Sequence, residues 1–570
     1  MPESLSPSDS WRLPRRRDAL SYWLRTRLLS LWALARQAFT TRRWSAAEAL
    51  AEAPVVAQSR SPLWTEGDDG EFALTAGKVE NLRVAIRAFH GVEVPAGGVL
   101  SFWAQLGRPS ASRGFVVGRE VREGCVVPTV AGGICQLSNA LADLAAQAGL
   151  EFVERHGHTA RIGEVASPAD ATVFWRHVDL KLRAAHAWRL DVTMDERELV
   201  VSLRSHARSL PRSIPVAPHR DAPALVRGCL TCDERDCFRH ATHRALHGRK
   251  ARTAALLDGW SPEFAARLAS QPLERFAPMP MRLAFWRPVA KSWGDVASRA
   301  RWASLRGALW RRLWARREGG RRQAAILDAQ RWLAQAHAAA LTPLHTRLVV
   351  DQALLPHLEL CGALAGREVE VLAHSLPMAD IQVRLDAAAQ RWPQDESLRD
   401  YRAPPSLVTA EARALARARS IVTPHAEVAA VLGLSHGARV TRLAWAAATV
   451  WAPAAAEASL APLLLFAAPP RARKGWLELT AALQGLSHRL RTLGTPHAGD
   501  PLDGVSAVVL PAHVEHAPRL LLRALACGLP VIATPACGLD AGPGLVIVQA
   551  GDVAALHAAL AQVLMKPHHE

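Results

Sequence analysis

Lysine is scarce in this chain, although Lys and Arg together number 69 against 52 Asp and Glu, for a net charge of +17. Arginine therefore carries nearly all of the positive charge. A bias toward Ala and Arg can be inherited from genome composition, so the charge singles out no nucleic-acid partner. An anionic membrane face or a phosphate-bearing substrate accounts for it as well. No RNA- or DNA-binding motif is legible, and no specific nucleic acid is expected. Also missing is any stretch of ~18 uncharged apolar residues, which predicts no membrane span. No secretory signal is visible, and of the eight cysteines the three that cluster do not pair evenly. A reduced, cytoplasmic setting fits that usage best. Core-forming residues, in contrast, are plentiful. With 49% hydrophobic and 21% charged residues in 570, packed domains are expected rather than disorder. The length has room for roughly three or four of them.

The chain divides into five segments. Residues 1–70 are basic and Trp-rich. "ALSYWLRTRLLSLWALARQAF" (19–39) sets Arg25 and Arg36 on one helical face within a broad apolar surround. It reads either as a helix packed on the protein body or as an interfacial helix, peripheral at the inner membrane face. Residues 71–207 read as α+β: helical spacing over 77–89, a strand-like alternation over 114–127, and a helix from Ile134 that buries Leu137, Leu141 and Leu144. Four short strands are expected at 171–175, 179–183, 188–194 and 198–206. Residues 208–275 read as a Pro-rich linker with a Cys cluster. From 276 the pattern becomes α/β. "RLAFW", "TRLVV", "VEVLA", "SIVTP", "LLLFA", "HRLRTLG", "VSAVVLP" and "PVIAT" are short apolar runs between helical stretches, as parallel sheets require. A linker-like stretch near 440–460 splits them into two Rossmann-like halves, 276–450 and 451–570. Their openings, 282–296 and 463–479, share strand, Pro turn, Lys, Trp and helix, which is either an internal duplication or the common first β-α turn of doubly wound sheets.

Three groups of residues carry chemistry. In "VPTVAGGICQLSNAL" (127–141), Gly132 and Gly133 precede a single thiol, Cys135, at the start of a helix. The positive end of a helix dipole lowers a thiol pKa. His156 and His158 follow at the end of the next strand, the general layout of a Cys–His nucleophilic pair, with Gln136 or a backbone N–H near Gly133 to line an oxyanion site. The other reading is a small buried residue beside structural histidines. In "GCLTCDERDCFRH" (228–240), Cys229, Cys232, Cys237 and His240 have the spacing C-x2-C-x4-C-x2-H. Four N/S ligands suit tetrahedral zinc. His243 is an alternative fourth ligand, and an iron–sulfur cluster or free thiols are the other readings. No organic cofactor is expected. Near the C-terminus, a cationic turn at Arg471, Arg473 and Lys474 and a helix N-terminus near His516 are expected to face one crevice suited to phosphate.

Two resemblances follow from ordered motifs. "NLRVAIRAFHGVEVPAGGVLSFW" (81–103), "VPTVAGGICQLSNAL", "VERHGHTARI" (153–162) and "DATVFWRHVDLKLR" (170–183) resemble the VanW family over about 71–207. That implies a cell-envelope or vancomycin-resistance context with no settled activity. "RARKG" (471–475), "VVLPAHVEHAPRLLLRALACGLPVIAT" (508–534) and the closing helix after 550 resemble a two-Rossmann, GT-B, group 1 glycosyltransferase over about 281–570. The resemblance implies that Lys474, with Arg471 or Arg473, holds the phosphates of a nucleotide-sugar donor and that Glu515 lies by the donor. The acceptor would be an envelope glycan or lipid-linked molecule. The family's second Glu, which would bind ribose, is Arg523 here, and no Gly-rich donor loop follows "RLAFW". Two functions stay open on the sequence: sugar transfer, or a non-catalytic envelope-precursor scaffold with a degenerate transferase domain. A Cys-dependent hydrolase or acyl transferase is a third.

Overall fold

A computed structural model describes residues 13–28, 42–64, 70–122, 125–158, 169–207, 227–239, 244–278, 301–314, 320–447, 461–493 and 499–565, save 18, 22, 26 and 176. The chain forms two compact units. The first comprises Met1–Arg252, Thr342–Thr346 and Leu364–Glu368, and the second comprises Thr253–Leu341, Arg347–Ala363 and Val369–Glu570.

The first unit is α+β. Its strands are β1 (Val55–Pro62), β2 (Val92–Val94), β3 (Val99–Ser101), β4 (Val117–Arg122), β5 (Cys125–Val130), β6 (Glu151–Glu154), β7 (Lys181–Arg183), β8 (Trp188–Met194), β9 (Glu198–Arg204) and β10 (Arg227–Gly228). They form three small sheets, ordered β1-β9-β8-β2, β10-β5-β4 and β3-β7-β6. Two helices matter to the site: α1 (Phe72–Ile86), buried along most of its length, and α2 (Cys135–Gln147). Phe89, Phe102 and Trp188 are buried in the shared core.

Three details differ from the sequence pattern. Strand β1 lies inside the segment expected to be a separate basic region, yet it pairs antiparallel with β9, Pro62 opposite Glu198. Its inward positions include Ala57 and Ser59, so it lacks the apolar alternation that marks a half-buried strand. The single strand expected over 114–127 is two strands, β4 and β5, paired antiparallel from Val117–Val130 to Arg122–Cys125. The strand expected at 171–175 is reduced to one bridge, Phe174 with Val178. The backbone of Ala171 bonds to side chains of α2 instead, Ser138 and Asn139, so it is not free to join a ladder.

The second unit is α/β, with two Rossmann-like sheets. The first has the order β12-β11-β13-β14-β15-β16, from β11 (Arg252–Leu256), β12 (Leu273–Phe276), β13 (His345–Asp351), β14 (Glu368–Leu372), β15 (Ser420–Thr423) and β16 (Val440–Arg442). The second has the order β18-β17-β19-β20-β21, from β17 (Leu463–Phe466), β18 (Arg489–Thr492), β19 (Ala507–Leu510), β20 (Val531–Ala533) and β21 (Leu545–Ile547), with every pairing parallel. The central strands β17 and β19 are wholly buried, which is why they read as unbroken apolar runs. Strands β11 and β12 lie within the segment expected to be linker. "RTAAL" and "LERF" are too short and too charged to stand out as buried strands. The proposed repeat at 282–296 lies outside the described residues.

Candidate functional site

In the first unit the residues around Cys135 are held by a set of specific contacts. Asn81 of α1 donates from Nδ2 to the carbonyls of Val116 and Gly132, both at 3.0 Å, and accepts from the Val116 N–H at 2.8 Å. The two glycines before the thiol then have distinct reasons. A Cβ on Gly132 would stand 2.6 Å from the backbone carbon of Gly118, so two chains meet there with no room for a side chain. Gly133 sits at φ +92, the left-handed region that favours glycine, with the Lys78 side chain against it. From this turn α2 starts, and three positions on one of its faces grip the segment 170–173. Ser138 Oγ donates to the Ala171 carbonyl at 2.7 Å, and Asn139 Oδ1 accepts from the Ala171 N–H at 2.8 Å. Cys135 Sγ lies 3.7 Å from the Val173 carbonyl oxygen and 4.0 Å from Thr172 Oγ1. The Thr172 N–H donates to the His156 carbonyl at 2.7 Å, which brings in the segment after β6 that carries His158.

His158 is the histidine that reaches the thiol. Its Nδ1 is 2.6 Å from Asp170 Oδ1, and its backbone N–H donates to Asp170 Oδ2 at 2.7 Å. Burial works against its charged form, but hydrogen bonds to Asp170 and Cys135 outweigh that and raise its pKa to about 10. Burial likewise favours a neutral Cys135, yet the hydrogen bond and positive charge of His158 bring that thiol below its usual value. His156, which the sequence paired with the thiol on equal terms, is half exposed, with its Nε2 3.4 Å from Glu154 Oε1. Gln136 does not turn to an oxyanion site either. Its amide donates to Ser61 Oγ at 2.9 Å and to the Pro62 carbonyl at 2.8 Å, tying α2 to β1. Asp170 was missed by sequence reasoning. Its spacing from Cys135 carries no period, and its only cue was a place in the "DATVFW" motif.

In the second unit Lys474 and Glu515 come together. Lys474 Nζ is 2.9 Å from Glu515 Oε2 and 2.9 Å from the Val514 carbonyl. Glu515 Oε1 accepts from the N–H groups of His516 and Ala517 at 2.8 and 3.0 Å. Burial pushes the Glu515 carboxyl up, but Lys474 and these amides hold it below the usual carboxylate range. Arg473 stacks on Tyr401, its guanidinium 4.3 Å from the ring centroid. Arg471 is exposed at the start of the turn. Arg523 is ion-paired with Asp500. His516 lines a cleft of about 300 Å³ with Asp258, Asp351, His374, Tyr401 and Glu411. Three of these follow the carboxyl ends of strands of the first sheet: Asp258 after β11, Asp351 at the end of β13, His374 after β14. That is where open α/β sheets bind ligands, a cue the sequence offered only once its strands were known. His374 Nε2 is 3.3 Å from Asp351 Oδ2, and burial opposes but does not prevent the upward shift that Asp351 causes in it. Burial raises Glu411 to about 7 and lowers His516 to about 3. His516 Nε2 is buried without a hydrogen-bond partner among the described residues.

The cysteine cluster gains a member. Strand β10 runs parallel to β5 with Arg227 opposite Cys125, and the Cys229 N–H donates to the Val126 carbonyl at 3.0 Å. Burial, then the neighbouring Cys232, Cys237 and Cys125, push the Cys229 thiol up to about 12. Among the described residues no group of three or more His, Cys, Asp or Glu is arranged to hold a metal ion. His240 and His243 lie outside the described residues. Among those residues, too, no helix is long and apolar enough to cross a membrane. In the described part of the N-terminal segment Leu20, Trp23, Leu24 and Leu28 are exposed.

Comparison with known proteins matches this division. Residues 77–204 fit the family described as "VanW like protein", and residues 431–566 fit "Glycosyl transferases group 1". The chain is therefore similar to the VanW family over the first of these segments and to group 1 glycosyltransferases over the second. It is 27% identical to the vancomycin B-type resistance protein VanW of Enterococcus faecalis over 132 residues, 22% of this chain and 47% of that protein. It is also 27% identical to the uncharacterized protein YoaR of Bacillus subtilis over 144 residues, 25% and 48% of the two chains. The chain thus spans about half the length of the curated relatives it matches. Among solved structures, it is similar to sucrose-phosphate synthase from Thermosynechococcus elongatus (14% identity, 56% of this chain and 90% of that one, TM-score 0.34). It is likewise similar to Anabaena HepE in complex with UDP and glucose (12%, 55% and 90%, TM-score 0.31).

Proposed function

We propose that the second unit transfers a sugar from a nucleotide-sugar donor to an envelope glycan or lipid-linked acceptor. One observation carries this reading: the Lys474–Glu515 pair, inside the segment that fits group 1 glycosyltransferases, is followed directly by His516 at the wall of the cleft. Lys474, with Arg471 or Arg473 beside it, neutralises the donor diphosphate. Glu515 accepts hydrogen bonds from the sugar. The unpartnered His516 Nε2, neutral at physiological pH, meets the bound ligand. The acceptor hydroxyl enters from the first sheet, where Asp258, Asp351 and His374 are the groups placed to take its proton. Calorimetric titration with a small panel of nucleotide sugars, followed by assay for released nucleoside diphosphate, tests this. At least one donor should bind and turn over with a glycan acceptor. If none binds, the scaffold reading stands in its place. Arg523 favours that second reading, since it replaces a ribose-binding carboxylate and its own charge is closed by Asp500.

The cellular setting is proposed on the same footing: cytoplasmic, with the exposed apolar side chains of residues 20–28 making peripheral contact with the inner membrane face. Zinc at the cysteine cluster is proposed on the ligand spacing with His240. Protein purified without chelator should carry about one zinc per chain, lost in Cys232→Ser. A metal-free protein by elemental analysis ends that idea.

A further inference from the structure

We propose that Cys135 is the nucleophile of an acyl-transfer site in the first unit, with His158 as its base and Asp170 as the residue that positions His158. Neither the transferase segment nor the cysteine cluster uses these three residues, and the site stands whatever becomes of the sugar-transfer reading.

The geometry meets each requirement of such a site in turn. A nucleophilic thiol needs a neighbouring base, and the base needs a third group to fix its ring. Asp170 holds His158 twice, the ring at Nδ1 and the chain at the backbone N–H, so one carboxylate sets both the orientation of the imidazole and the backbone that carries it. With Nδ1 taken, Nε2 is the nitrogen left for the thiol. Asp170 is itself buried, and α2 fixes it through its neighbour Ala171 by way of Ser138 and Asn139. The same helix carries Cys135 as its first residue, and the N–H groups of Gln136 and Leu137 bond back to the Gly133 and Ile134 carbonyls at 3.2 and 3.0 Å, which fixes the turn that presents the thiol. The thiol is half-buried and the imidazole 24% exposed, so the site is sheltered yet open to solvent on one side. A structural cysteine would need none of this. The clamp of Asn81 on Gly132 and the close Gly118–Gly132 contact fix the turn before Cys135, and the two hydrogen bonds of Asp170 fix His158.

The reaction class follows. The Cys135 thiolate attacks the carbonyl carbon of an ester or amide, forming the C–S bond. As the C–O or C–N bond breaks, the imidazolium of His158 gives its proton to the departing alcohol or amine. Water or an acceptor amine then attacks the thioester while His158 takes a proton back, and the thiolate is restored. No oxidant or metal enters the balance.

Two probes test this on the full chain. With iodoacetamide, wild-type Cys135 should be alkylated at a rate that stays high well below the ordinary thiol pKa of about 8.5. His158→Gln should move the inflection to that range or above and slow alkylation at pH 7 about tenfold or more, since only a few per cent of an ordinary thiol is ionised there. Asp170→Asn should move it part of the way. With p-nitrophenyl acetate, wild type should release p-nitrophenolate in a burst and carry acetyl on Cys135 by peptide mapping. Cys135→Ala should show neither. The wild-type pH profile requires no substitution, so misfolding of a variant cannot blur the result. An ordinary inflection near pH 8.5 in the wild type, or an inert Cys135 with no acetyl adduct, overturns the proposal and leaves Cys135 as a packing residue.

Discussion

Lys474→Ala should weaken nucleotide-sugar binding about ten- to a hundredfold, as read by calorimetry. A cation-to-diphosphate contact in a partly closed cleft contributes about 1.5–3 kcal/mol, and each 1.4 kcal/mol is roughly tenfold in affinity. The same substitution should have a stability signature that needs no ligand. Burial drives the Glu515 carboxyl up, and Lys474 more than offsets it, so the folded-state pKa lies below the unfolded value. A group with a depressed pKa stabilises the fold above the unfolded value, about 4.3 for Glu. That contribution is lost as pH falls through the folded value. Lys474→Ala should therefore melt below wild type at neutral pH, and the gap should narrow as pH falls below about 4. If affinity is unchanged while the pH-dependent gap appears, Lys474 is a structural partner of Glu515 and not a donor ligand.

Gly132→Ala should be a strongly damaging single-methyl change in the first unit. The added Cβ would lie 2.6 Å from the carbon and 2.8 Å from the nitrogen of neighbouring backbone atoms at Gly118 and Arg119. No side chain can rotate away to relieve a contact between main chains, so β4 or the turn must move. Overpacking costs about 1–3 kcal/mol where side chains give way, and the upper end or beyond is expected here. The displaced turn also carries Cys135, so the fast alkylation of that thiol should fall with the melting temperature. Gly97→Ala is the control: its Cβ meets nothing within 4 Å, and only the φ of +74 is unfavourable, at about 1–2 kcal/mol. Equal melting temperatures for the two variants would show that the Gly118–Gly132 contact is not tight.

Much of the second unit was legible because its chemistry is local. Strands β17, β19 and β20 are wholly buried, and burial on both faces demands a continuous apolar run that any window detects, while β13, β14 and β15 keep a buried apolar core of two or three residues. Strands β1, β11 and β12 were not legible, since each is partly exposed and mixes charged or polar residues into a short run. The "ATVFW" stretch failed in the opposite sense. It has the composition of a strand, but Ser138 and Asn139 claim its backbone, and a side chain's choice of a distant partner leaves no mark in periodicity.

The candidate sites divide the same way. By itself the sequence determined which residue types were on offer: a thiol at a helix start behind two glycines, two histidines downstream, a cationic turn and a glutamate before a helix. Those depend on local backbone demands, which glycine, proline and helix-start signals express directly. Only the tertiary structure decided which of them meet. It chose His158 over His156 by placing Asp170 at one and Glu154 at the other. It turned Gln136 to Ser61, closed Arg523 on Asp500, joined Lys474 to Glu515, and set Cys125 beside the clustered cysteines. Apart from the local Glu154–His156 pair, each of these is a contact between residues 12 or more positions apart, set by sheet register and helix packing, and no spacing along the sequence encodes a distance of that kind.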